Sequence, residues 1–482
     1  MSTGLFSIAR SALLTHQTAL QTISQNIANA QTPGYSRQEA VLEANTPVRL
    51  SYGNVGTGVH VENIIRKRDI LLDDGYRTAE GQAGEAELKQ SQLSQMEGIF
   101  GEPTDAGMSN ALDQFWGAWS DLAANPSSTT SRAVVQQRGA QVAQLFNDYD
   151  TQLTQQRTSS LDRLSSSVAQ INALSKQVAE LNTQIVTSES GGVSANDLRD
   201  QRDLVLDQLA NVAGTRSINQ PDGSVTVIIG NSTLVDGSTA RPLSIQLETP
   251  NPMPAVIPSD IPVRIRLGDS PDRLAPLGGE LRAITDYVNT EIPGIRGRLD
   301  AMASSLVTAV NAAHTAGYTF SGTTIPGTAA GNFYDAGTVL NPVRASTIKL
   351  DAAIAADSSK IAASGNANAP TDNTAALALS ALRTTGTTVS YTAPSGATET
   401  GSFLDFFRKT VTSLGLDSKS ASDDATVYRA LADQADTRRQ SVSGVNTDEE
   451  LVNMLKVQQS YTAATKLIKT ADEMLQTLLQ LV

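Results

Sequence analysis

The sequence contains no cysteine among its 482 residues. This absence excludes disulfide frameworks, thiolate catalysis and cysteine-ligated zinc sites. It also fits a chain that is indifferent to redox compartment, including one that is exported unfolded. Aromatic residues are scarce, at 4% of the composition. This scarcity argues against a base-stacking platform for single-stranded nucleic acid.

Positive charge and long apolar runs are also in short supply. Lys and Arg total 36 against 49 Asp and Glu, so the net charge is −13. An acidic surface repels phosphate, which argues against sequence-independent nucleic-acid binding. The longest apolar runs, such as Val225 to Ile229, are far too short to cross a bilayer and read as strands. Residues Met1 to Arg10 do not form a basic leader segment, so we expect no cleaved signal peptide.

The sequence offers no constellation of catalytic or metal-binding residues. Its histidines, His16, His60 and His314, are scattered without metal-ligand spacing, and we expect structural roles for them. The glycines between Gly53 and Gly58 fail the dinucleotide fingerprint and read as turns in a β segment. Walker A runs and nucleophile elbows are absent from the sequence. We therefore expect no enzymatic activity and no cofactor.

Charged and aromatic clusters read as structural features. The acidic pairs Asp73-Asp74 and Asp423-Asp424 are typical of solvated helix faces rather than of catalytic carboxylates. The basic run Arg66-Lys67-Arg68 is predicted to lie on the surface. Trp116 and Trp119 are three residues apart. This helical spacing predicts a core position or an inter-subunit contact rather than a carbohydrate platform.

What the sequence does have is a heptad helix at its start, from about Leu5 to Ala30. Seven-residue spacing of apolar residues is typical of a helix that packs against partner helices. One seam position holds Phe6, Leu13, Leu20 and Ile27, and the other holds Ala9, His16, Ile23 and Ala30. Pro33 and Gly34 are expected to end this helix in a turn.

A second heptad helix ends the chain. Thr447 and Glu450 have capping-box spacing, with Thr447 as the expected N-cap. One seam position holds Met454, Tyr461, Ile468, Leu475 and Val482, and the other holds Val457, Ala464, Ala471 and Leu478. Because both chain ends would lie together, we expect the two terminal helices to form an antiparallel coiled coil.

Between its ends, the chain is predicted to be mainly α-helical with inserted β structure. Long helices are predicted at about 66–100, 131–187, 280–314 and 403–441. We expect a terminal coiled-coil domain at 1–40 and 441–482, and a long-helix body at 41–214 and 278–440. Residues 215–277, rich in Val, Ile, Pro and Gly, predict an inserted β subdomain. Residues 340–400 are expected to form short elements of modest order.

Residues 11–36 contain no Asp, Glu, Lys or Arg. One interpretation is a packed helix with a neutral polar back. Another is a helix whose partners surround it, so that neither face needs charge for solubility. In a tube, such a helix would present uncharged amides and hydroxyls, including Gln21 and Gln25, to the lumen.

Two terminal motifs resemble the axial proteins of bacterial flagella, which are rod, hook and hook-associated proteins. The first motif is Asn26-Ile27-Ala28-Asn29-Ala30-Gln31-Thr32-Pro33-Gly34-Tyr35, and the second is Ser443-Gly444-Val445-Asn446-Thr447-Asp448-Glu449-Glu450 followed by Gln458-Gln459-Ser460-Tyr461. Within this group, the segments 35–38, 124–128 and 196–203 resemble the hook-associated protein 1 family. Thr447 departs from the leucine common there, and the region after Phe333-Tyr334 is short.

The resemblance implies a structural protein exported unfolded to the extracellular flagellum. It implies a head-to-tail ring of copies, contacts with the hook protein and a filament-side hook-associated protein, and an export chaperone on the C-terminal helix. The predicted assembly interface comprises Phe6, Leu13, Leu20, Ile23, Ile27, Asn29, Pro33, Gly34, Tyr35, Met454, Val457, Tyr461, Ile468, Leu475 and Leu478.

Three alternatives remain open at this point. A flagellar hook or rod protein would share the terminal motifs, although the long helices at 66–100 and 131–211 argue against the mostly β hook proteins. A secreted peptidoglycan hydrolase would need a conspicuous catalytic site. A membrane-inserting translocator would need a sufficiently apolar helix.

Overall fold

A computed structural model describes residues 2–50, 53–101, 107–248, 261–268, 274–275, 277–320, 324–384, 388–393 and 396–480. The chain is mainly helical, as predicted. The helices are α1 Ser2–Ala28, α2 Ile70–Phe100, α3 Met108–Ala124, α4 Thr129–Glu189, α5 Asn196–Ala213, α6 Gly279–Asp286, α7 Ile292–Thr315, α8 Ala352–Ala356, α9 Thr374–Ala381, α10 Phe403–Ser443 and α11 Thr447–Gln480. A π-helical segment, Tyr287–Glu291, joins α6 to α7, and a 3₁₀ turn, Ser358–Lys360, follows α8.

The β structure consists of small antiparallel sheets. The strands are β1 Gln38–Ala44, β2 Val48–Leu50, β3 Gly53–Val55, β4 Val59–Arg66, β5 Arg216–Asn219, β6 Val225–Ile229, β7 Ser232–Asp236, β8 Thr239–Ala240, β9 Leu243–Leu247, β10 Val263–Leu267, β11 Tyr318–Thr319, β12 Thr328–Ala329, β13 Val389–Thr392 and β14 Thr398–Gly401. The largest sheet has the order β5-β6-β7-β8. The next two strands in the sequence, β9 and β10, pair in a separate two-stranded sheet. β1 pairs with β4 in a long hairpin from Gln38↔Arg66 to Ala44↔Val59.

Local sequence explains where the long helices begin and end. Ser128 caps α4, because its side chain accepts a hydrogen bond from the Ser131 N–H. The heptad residues Leu164, Ile171, Val178 and Ile185 of α4 are fully buried. Gly214 ends α5 with φ +60°, a left-handed conformation that favours glycine.

Buried apolar side chains form two separate cores. The first core joins α3, α7, the end of α2, the N-terminal half of α4 and the start of α10. The second core joins the C-terminal half of α4 with α5, α6 and strands β6, β7, β9 and β10. Trp116 and Trp119 are buried in the first core. They therefore take the core position rather than the inter-subunit position that the sequence left open.

The segment after α7 contributes side chains to the first core. Phe333 and Tyr334 are fully buried in the first core, together with Ala345, Ile348 and Ile361. The Asn311 Oδ1 atom accepts hydrogen bonds from the Phe333 and Tyr334 N–H groups at 2.9 Å each. Within 340–400, the expected short elements are observed as α8, α9, β13 and β14, and Ala345, Ile348 and Ile361 pack into the first core.

The terminal helices contact each other, and α1 also contacts the β1–β4 hairpin. On α1, the Thr15 hydroxyl donates to the Val59 carbonyl at 3.1 Å, and the Ser11 hydroxyl accepts from the Val59 N–H at 3.3 Å. The side chains of α1 buried within the chain are Ala9, Thr15, Ala19, Thr22 and Asn26. The predicted seam residues behave differently, since Ala9 is buried but Phe6 is 42% exposed and Leu13, Leu20, Ile23 and Ile27 are only half-buried.

The seam residues Phe6, Leu13, Leu20 and Ile27 are therefore not the most buried residues of α1 within the chain. Two of the buried polar side chains, Thr15 and Asn26, lie against hairpin backbone, where the hydroxyl and the amide find hydrogen-bond partners. On α11 the predicted seam agrees better with the structure. Ala464 and Ala471 are buried there. Met454, Val457, Ile468 and Leu475 are half-buried, whereas Tyr461 is 37% exposed.

Candidate functional site

The end of α1 and the start of α11 meet the body at a cluster of hydrogen bonds around Asn26. The Asn26 Nδ2 atom donates to the Gln38 carbonyl at 2.8 Å, and Oδ1 accepts from the Gln38 N–H at 3.0 Å. The same Oδ1 accepts from the Tyr35 hydroxyl at 2.9 Å. Asn26 is 1% exposed. One side chain thus closes the loop between the end of α1 and the start of β1.

Glu450 in the first turn of α11 joins the C-terminal helix to this cluster. Its carboxylate accepts from Asn26 Nδ2 at 3.0 Å and pairs with Arg37 Nε at 2.8 Å. The Arg37 N–H in turn donates to the Ser443 carbonyl at 2.9 Å. Glu450 is 2% exposed, so water does not compete for its carboxylate.

The predicted capping box at the start of α11 is wrong. The Asn446 Oδ1 atom accepts from the Asp448 N–H at 3.0 Å and from the Glu449 N–H at 3.4 Å, so Asn446 caps the helix. The side chain of Glu450 is turned instead toward Asn26 and Arg37. A tertiary ion pair therefore replaces the local cap that the Thr447 spacing predicts.

Asp200 on α5 connects the chain ends to the body. Its carboxylate accepts from the Ser36 N–H at 3.0 Å and from the Ser36 hydroxyl at 2.6 Å. It also accepts from Arg66 Nη1 at 2.7 Å. We refer to Asn26, Tyr35, Ser36, Arg37, Gln38, Asp200 and Glu450 together as the polar junction.

An ion cluster continues the polar junction into the body. It comprises Arg66, Arg68, Arg77, Arg439, Asp73, Asp203, Asp207 and Asp436. Arg439 contacts Asp207 and Asp436 at 2.6 Å each, and its guanidinium lies 3.8 Å from the centre of the Tyr76 ring. This arginine, close to the end of α10, thereby ties α10 to α5 and α2.

Two sequence predictions fail in this ion cluster. The Arg66 and Arg68 side chains are 12% exposed, so only Lys67 of the basic run, at 45%, lies on the surface as predicted. Asp73 is 7% exposed and accepts from Arg68 Nε at 2.9 Å, so it is not on a solvated helix face. Arg66 pairs with Asp200 and Asp203, which lie 134 and 137 positions away, whereas Arg68 pairs with Asp73 five positions away.

The electrostatics of the ion cluster favour the charged form of the Asp203 carboxyl. Burial alone would raise the pKa of the Asp203 carboxyl, but the guanidinium groups of Arg68, Arg66 and Arg77 outweigh burial and hold that pKa well below its usual range. Burial, together with the neighbouring carboxylates, raises the pKa of Tyr35. The Tyr35 phenol therefore stays protonated and can donate to Asn26.

The predicted turn residues line a cleft beside the polar junction. The cleft has a volume of about 1130 Å³ and lies between residues 30–37, α5 and residues 439–446. Gly34 has φ +79° and faces Leu204, whose Cβ would lie 3.4 Å from a Cβ at position 34. Pro33 is exposed. Asn29 is partly buried and donates to the Gln25 carbonyl at 3.0 Å.

The structure gathers some predicted site residues and separates others. Pro33, Gly34 and Tyr35 lie together at the cleft, whereas the predicted residues of α1 and α11 extend along two helices. The side chain of Leu478 lies outside the described residues. Heptad spacing missed Asn26, Ser36, Arg37, Gln38, Asp200 and Glu450, because it selects apolar positions. Their signal was their place inside the terminal motifs and the segments 35–38 and 196–203.

His314 has a structural environment. It is fully buried, its Nδ1 lies 2.7 Å from the Gly331 carbonyl, and its Nε2 accepts from the Ala362 N–H at 3.0 Å. Burial lowers its pKa.

Across the described ranges, no three His, Cys, Asp or Glu residues are grouped as metal ligands. In the same residues, no helix combines the length and apolarity needed to span a bilayer.

Comparison with protein families gives three matches. The description "Flagellar hook-associated protein FlgK helical domain" matches residues 93–330. "Flagella basal body rod protein" matches residues 6–35, and "Flagellar basal body rod FlgEFG protein C-terminal" matches residues 438–481. The two terminal matches thus end and begin at the cleft beside the polar junction.

Individual relatives give the same result. The chain is 31% identical to flagellar hook-associated protein 1 of Bacillus subtilis (strain 168), over 97% of this chain and 96% of the relative. It is 25% identical to flagellar hook-associated protein 1 of Escherichia coli (strain K12), over 99% of both. The solved flagellar hook junction protein FlgK from Burkholderia pseudomallei superposes with a TM-score of 0.63 at 16% identity, over 77% of this chain and 100% of that chain. At that identity the superposition shows a shared fold.

Proposed function

Because this chain belongs to the flagellar hook-associated protein 1 family, we propose that its copies form a ring that joins the flagellar hook to the filament-side junction protein and the filament. The protein is a structural component of the bacterial flagellum at the hook–filament junction. The proposal assigns it no catalytic activity and no cofactor.

The observation that carries the proposal concerns the two terminal helices. The end of α1 and the start of α11 are held at one place, while both helices keep apolar side chains exposed. The polar junction fixes the end of α1 and the start of α11 to α5. Exposed apolar side chains nevertheless remain on both helices: Phe6 42%, Leu14 55%, Leu451 49%, Val452 51% and Leu455 59%. Apolar surface of this kind on paired helices is typical of an interface with further copies.

The proposed contacts are those of a head-to-tail assembly, in which one surface of a copy binds a different surface of the next. The half-buried residues Leu13, Leu20, Ile23 and Ile27 on α1, and Met454, Val457, Ile468 and Leu475 on α11, have apolar area left to bury in such a contact. With Phe6, Tyr461 and the turn residues Asn29, Pro33, Gly34 and Tyr35, they form the proposed assembly surface.

We further propose that α1 and α11 form an antiparallel coiled coil as the inner part of the ring. Its direction is supported by the contact between Asn26, near the end of α1, and Glu450, at the start of α11. Small buried residues, Ala9 and Ala19 on α1 and Ala464 and Ala471 on α11, support a close approach of the helix axes.

The proposed division of the chain places 1–40 and 441–482 in the inner coiled coil, 41–214 and 278–440 in the body, and 215–277 in a β subdomain. The separation of the two cores supports a subdivided body. However, strands β6 to β10 share the second core with α4 and α5. This shared core favours a β subdomain attached firmly to the helices rather than by a flexible linker.

The proposed partners follow from the ring. They are further copies of the chain, the hook protein and the filament-side hook-associated protein. The protein would be exported to the cell exterior, with an export chaperone binding the apolar stripe of α11 until secretion. The described part of α11 keeps Leu451, Leu455, Leu467 and Met474 exposed, which supports a helix-in-groove contact.

Immunogold labelling of purified hook–basal bodies with attached filaments would test the proposal. We expect label in one narrow band between hook and filament, and free filament subunits in the medium of a strain that lacks the protein. The terminal matches to rod proteins favour a rod or hook protein as the second candidate. Label along the rod, or along the whole hook, would favour that candidate and contradict the junction assignment.

A further inference from the structure

The two cores of the body are separated by a polar cross-section. On α4 the last buried residue of the first core is Leu153, and the first fully buried residue of the second core is Leu164. On α2 the corresponding boundary lies between Leu93 and Leu88. Interlocked apolar side chains resist bending. Between the boundary residues on α2 and α4, neither core provides a fully buried apolar side chain.

Glutamines and serines occupy this level. They line a cleft of about 380 Å³ between α2 and α4. We call the residues Ser91, Gln92, Gln152, Gln155, Gln156, Ser159 and Ser160 the polar waist. Their amides and hydroxyls can exchange hydrogen bonds with water at little cost, unlike apolar side chains that must stay packed.

At Gln92, the polar waist contains a buried side chain whose hydrogen bonds are not satisfied. Its side chain is 94% buried, since the residue is 6% exposed, yet neither its Nε2 nor its Oε1 atom has a hydrogen-bond partner. A buried carboxamide without partners is destabilising. A change in the angle between the cores, or entry of water, would give this carboxamide the partners it lacks.

Besides α2, α4 and α10, which packs along α2, the segment between α6 and α7 connects the cores, and it is irregular at the same level. Tyr287 belongs to the first core and Val288 to the second, and both lie in the π-helical segment 287–291. The Ile292 N–H donates to the Tyr287 carbonyl, five residues back. Pro293 follows; it has no N–H to donate to Asn289, which is the kind of interruption that widens or kinks a helix. The Tyr287 hydroxyl contacts the waist directly, at Gln156.

We propose that the body bends at the polar waist, with the two cores moving as rigid units and the segment 287–291 absorbing the change in backbone geometry. Such bending would let identical copies meet neighbours at different angles. The proposal does not depend on the proposed function, because it concerns the isolated chain and is tested on it.

The absence of cysteine makes a distance measurement on spin-labelled pairs direct. Ser244 and Ser346 are exposed and lie beside the second and first cores respectively, so the pair Ser244→Cys and Ser346→Cys spans the waist. The pair Ser244→Cys and Thr187→Cys is the control, because Thr187 lies on the same side of the waist as Ser244. We expect pulsed electron–electron double resonance to give a distribution of spin–spin distances that is several ångströms wider for the spanning pair than for the control pair. Equal widths would overturn the proposal.

Two further variants test the mechanism in the spanning pair. Gln92→Leu should join Leu88 to Leu93 across the waist, narrow the distribution and raise the thermal midpoint of the full chain. Pro293→Ala should restore an N–H at the π-helical segment and narrow the distribution without touching the cleft. If both folded variants leave the width unchanged, bending does not occur at the waist. If Gln92→Leu does not fold, Pro293→Ala alone decides.

Discussion

At the scale of single residues, Glu450 holds the C-terminal helix to the N-terminal segment. Its buried carboxylate has two partners, Arg37 and Asn26. Glu450→Gln keeps the size of the side chain but removes the charge, so Arg37 keeps only Glu449, whose side chain is 61% exposed. We expect the docking of α11 to weaken by about 1–3 kcal/mol, measured as faster hydrogen exchange in its first turns.

The neighbouring substitution Glu449→Gln is the matched control. Because Glu449 is largely exposed and its contact with Arg37 is 3.2 Å, its removal should cost less than about 0.5 kcal/mol. Equal exchange rates in the two variants would mean that burial of Glu450 contributes nothing to the docking of α11.

Asp203 gives the ion cluster a defined pH dependence. Its carboxyl pKa is lowered in the folded chain because Arg68, Arg66 and Arg77 outweigh burial. A lowered pKa adds stability that is fully present above the unfolded value, about 3.9, and is lost as the pH falls through the folded value. We therefore expect urea midpoints to change little from this residue between neutral pH and about pH 5, and to fall below about pH 4.

Asp203→Asn should remove this contribution. The variant should be less stable at neutral pH, since its buried arginines lose a partner, and its stability should fall less steeply below about pH 4. Parallel curves for the two proteins across the acid range would show that another carboxylate sets the acid limit. The exposed Asp162 on α4 provides a matched substitution, Asp162→Asn, for which we expect the parent profile.

Residue-scale prediction from sequence is limited by the distance between partners. The pair Arg66 and Asp203 is separated by 137 positions, and Arg439 and Asp207 by 232. Charge patterning sees only near neighbours, so it places Arg66 on the surface and misses that the pair Arg68 and Asp73 is buried beside Asp203. The same limit explains why heptad spacing overlooks Asn26, whose partners are on β1 and α11.

At the scale of elements, the turn between α1 and β1 depends on Gly34. Its φ of +79° is costly for any residue with a Cβ, and that Cβ would lie 3.4 Å from Leu204 Cβ. Gly34→Val should therefore destabilise the docking of α1 by about 1–3 kcal/mol. We expect faster hydrogen exchange at Ser36 and Arg37, and impaired incorporation at the hook tip, with the thermal transition of the body nearly unchanged.

Gly98→Ala in α2 is the opposite case and serves as the control. A Cβ at Gly98 meets nothing within 4 Å, and the residue has no positive φ. Alanine should stabilise α2 by about 0.5–1 kcal/mol. If Gly34→Val is as well tolerated in motility assays as Gly98→Ala, the turn does not set the position of α1.

The C-terminal helix makes a second prediction at this scale. Ile468 is half-buried on the same face as the buried Ala464 and Ala471, whereas Lys469 is exposed. Ile468→Asp puts a carboxylate into that face at a cost of about 1–3 kcal/mol. The thermal transition of the body should persist, but ring formation, filament retention and chaperone binding should weaken.

Lys469→Gln, one position along the same helix, should be nearly silent in the same assays. Filaments of normal length in cells with Ile468→Asp, together with a defect in cells with Lys469→Gln, would mean that the assembly face of α11 lies elsewhere. The exposed residues Leu467 and Met474 would then be the next positions to test.

Element boundaries were the most predictable part of the fold, because periodicity and breakers act locally. The final long helix of the body, predicted at 403–441, spans Phe403–Ser443. The strand predicted at Val225 to Ile229 is observed as β6, with the same bounds. The packing of residues 333–363 was not predictable, since it depends on Asn311 and on first-core residues from other helices.

At the scale of the whole molecule, the structure shows which residues of the uncharged stretch 11–36 are buried and which are exposed. Thr15, Ala19, Thr22 and Asn26 face the interior of the chain. Gln17, Gln21, Ser24 and Gln25 are exposed. The outer face of α1 therefore presents uncharged amides and a hydroxyl, and the sequence alone could not decide whether that face meets partners or water.

A ring of copies makes the lumen interpretation testable. If the outer face of α1 lines a channel, Gln21→Glu and Gln25→Glu place the same negative charge in every copy around it. Like charges at a few ångströms in a partly desolvated wall repel by an energy on the order of a kcal/mol or more per contact, and salt screens that repulsion. We expect shorter filaments or fewer rings at low ionic strength, partial recovery at higher salt, and an unchanged thermal midpoint of the isolated chain. Gln184→Glu, on an exposed position of α4, adds the same charge to the body and should leave filament length unchanged. Normal filament growth with Gln21→Glu and Gln25→Glu at every salt concentration would place these side chains in open solvent, and the face of α1 that lines the channel would have to be sought on its other residues.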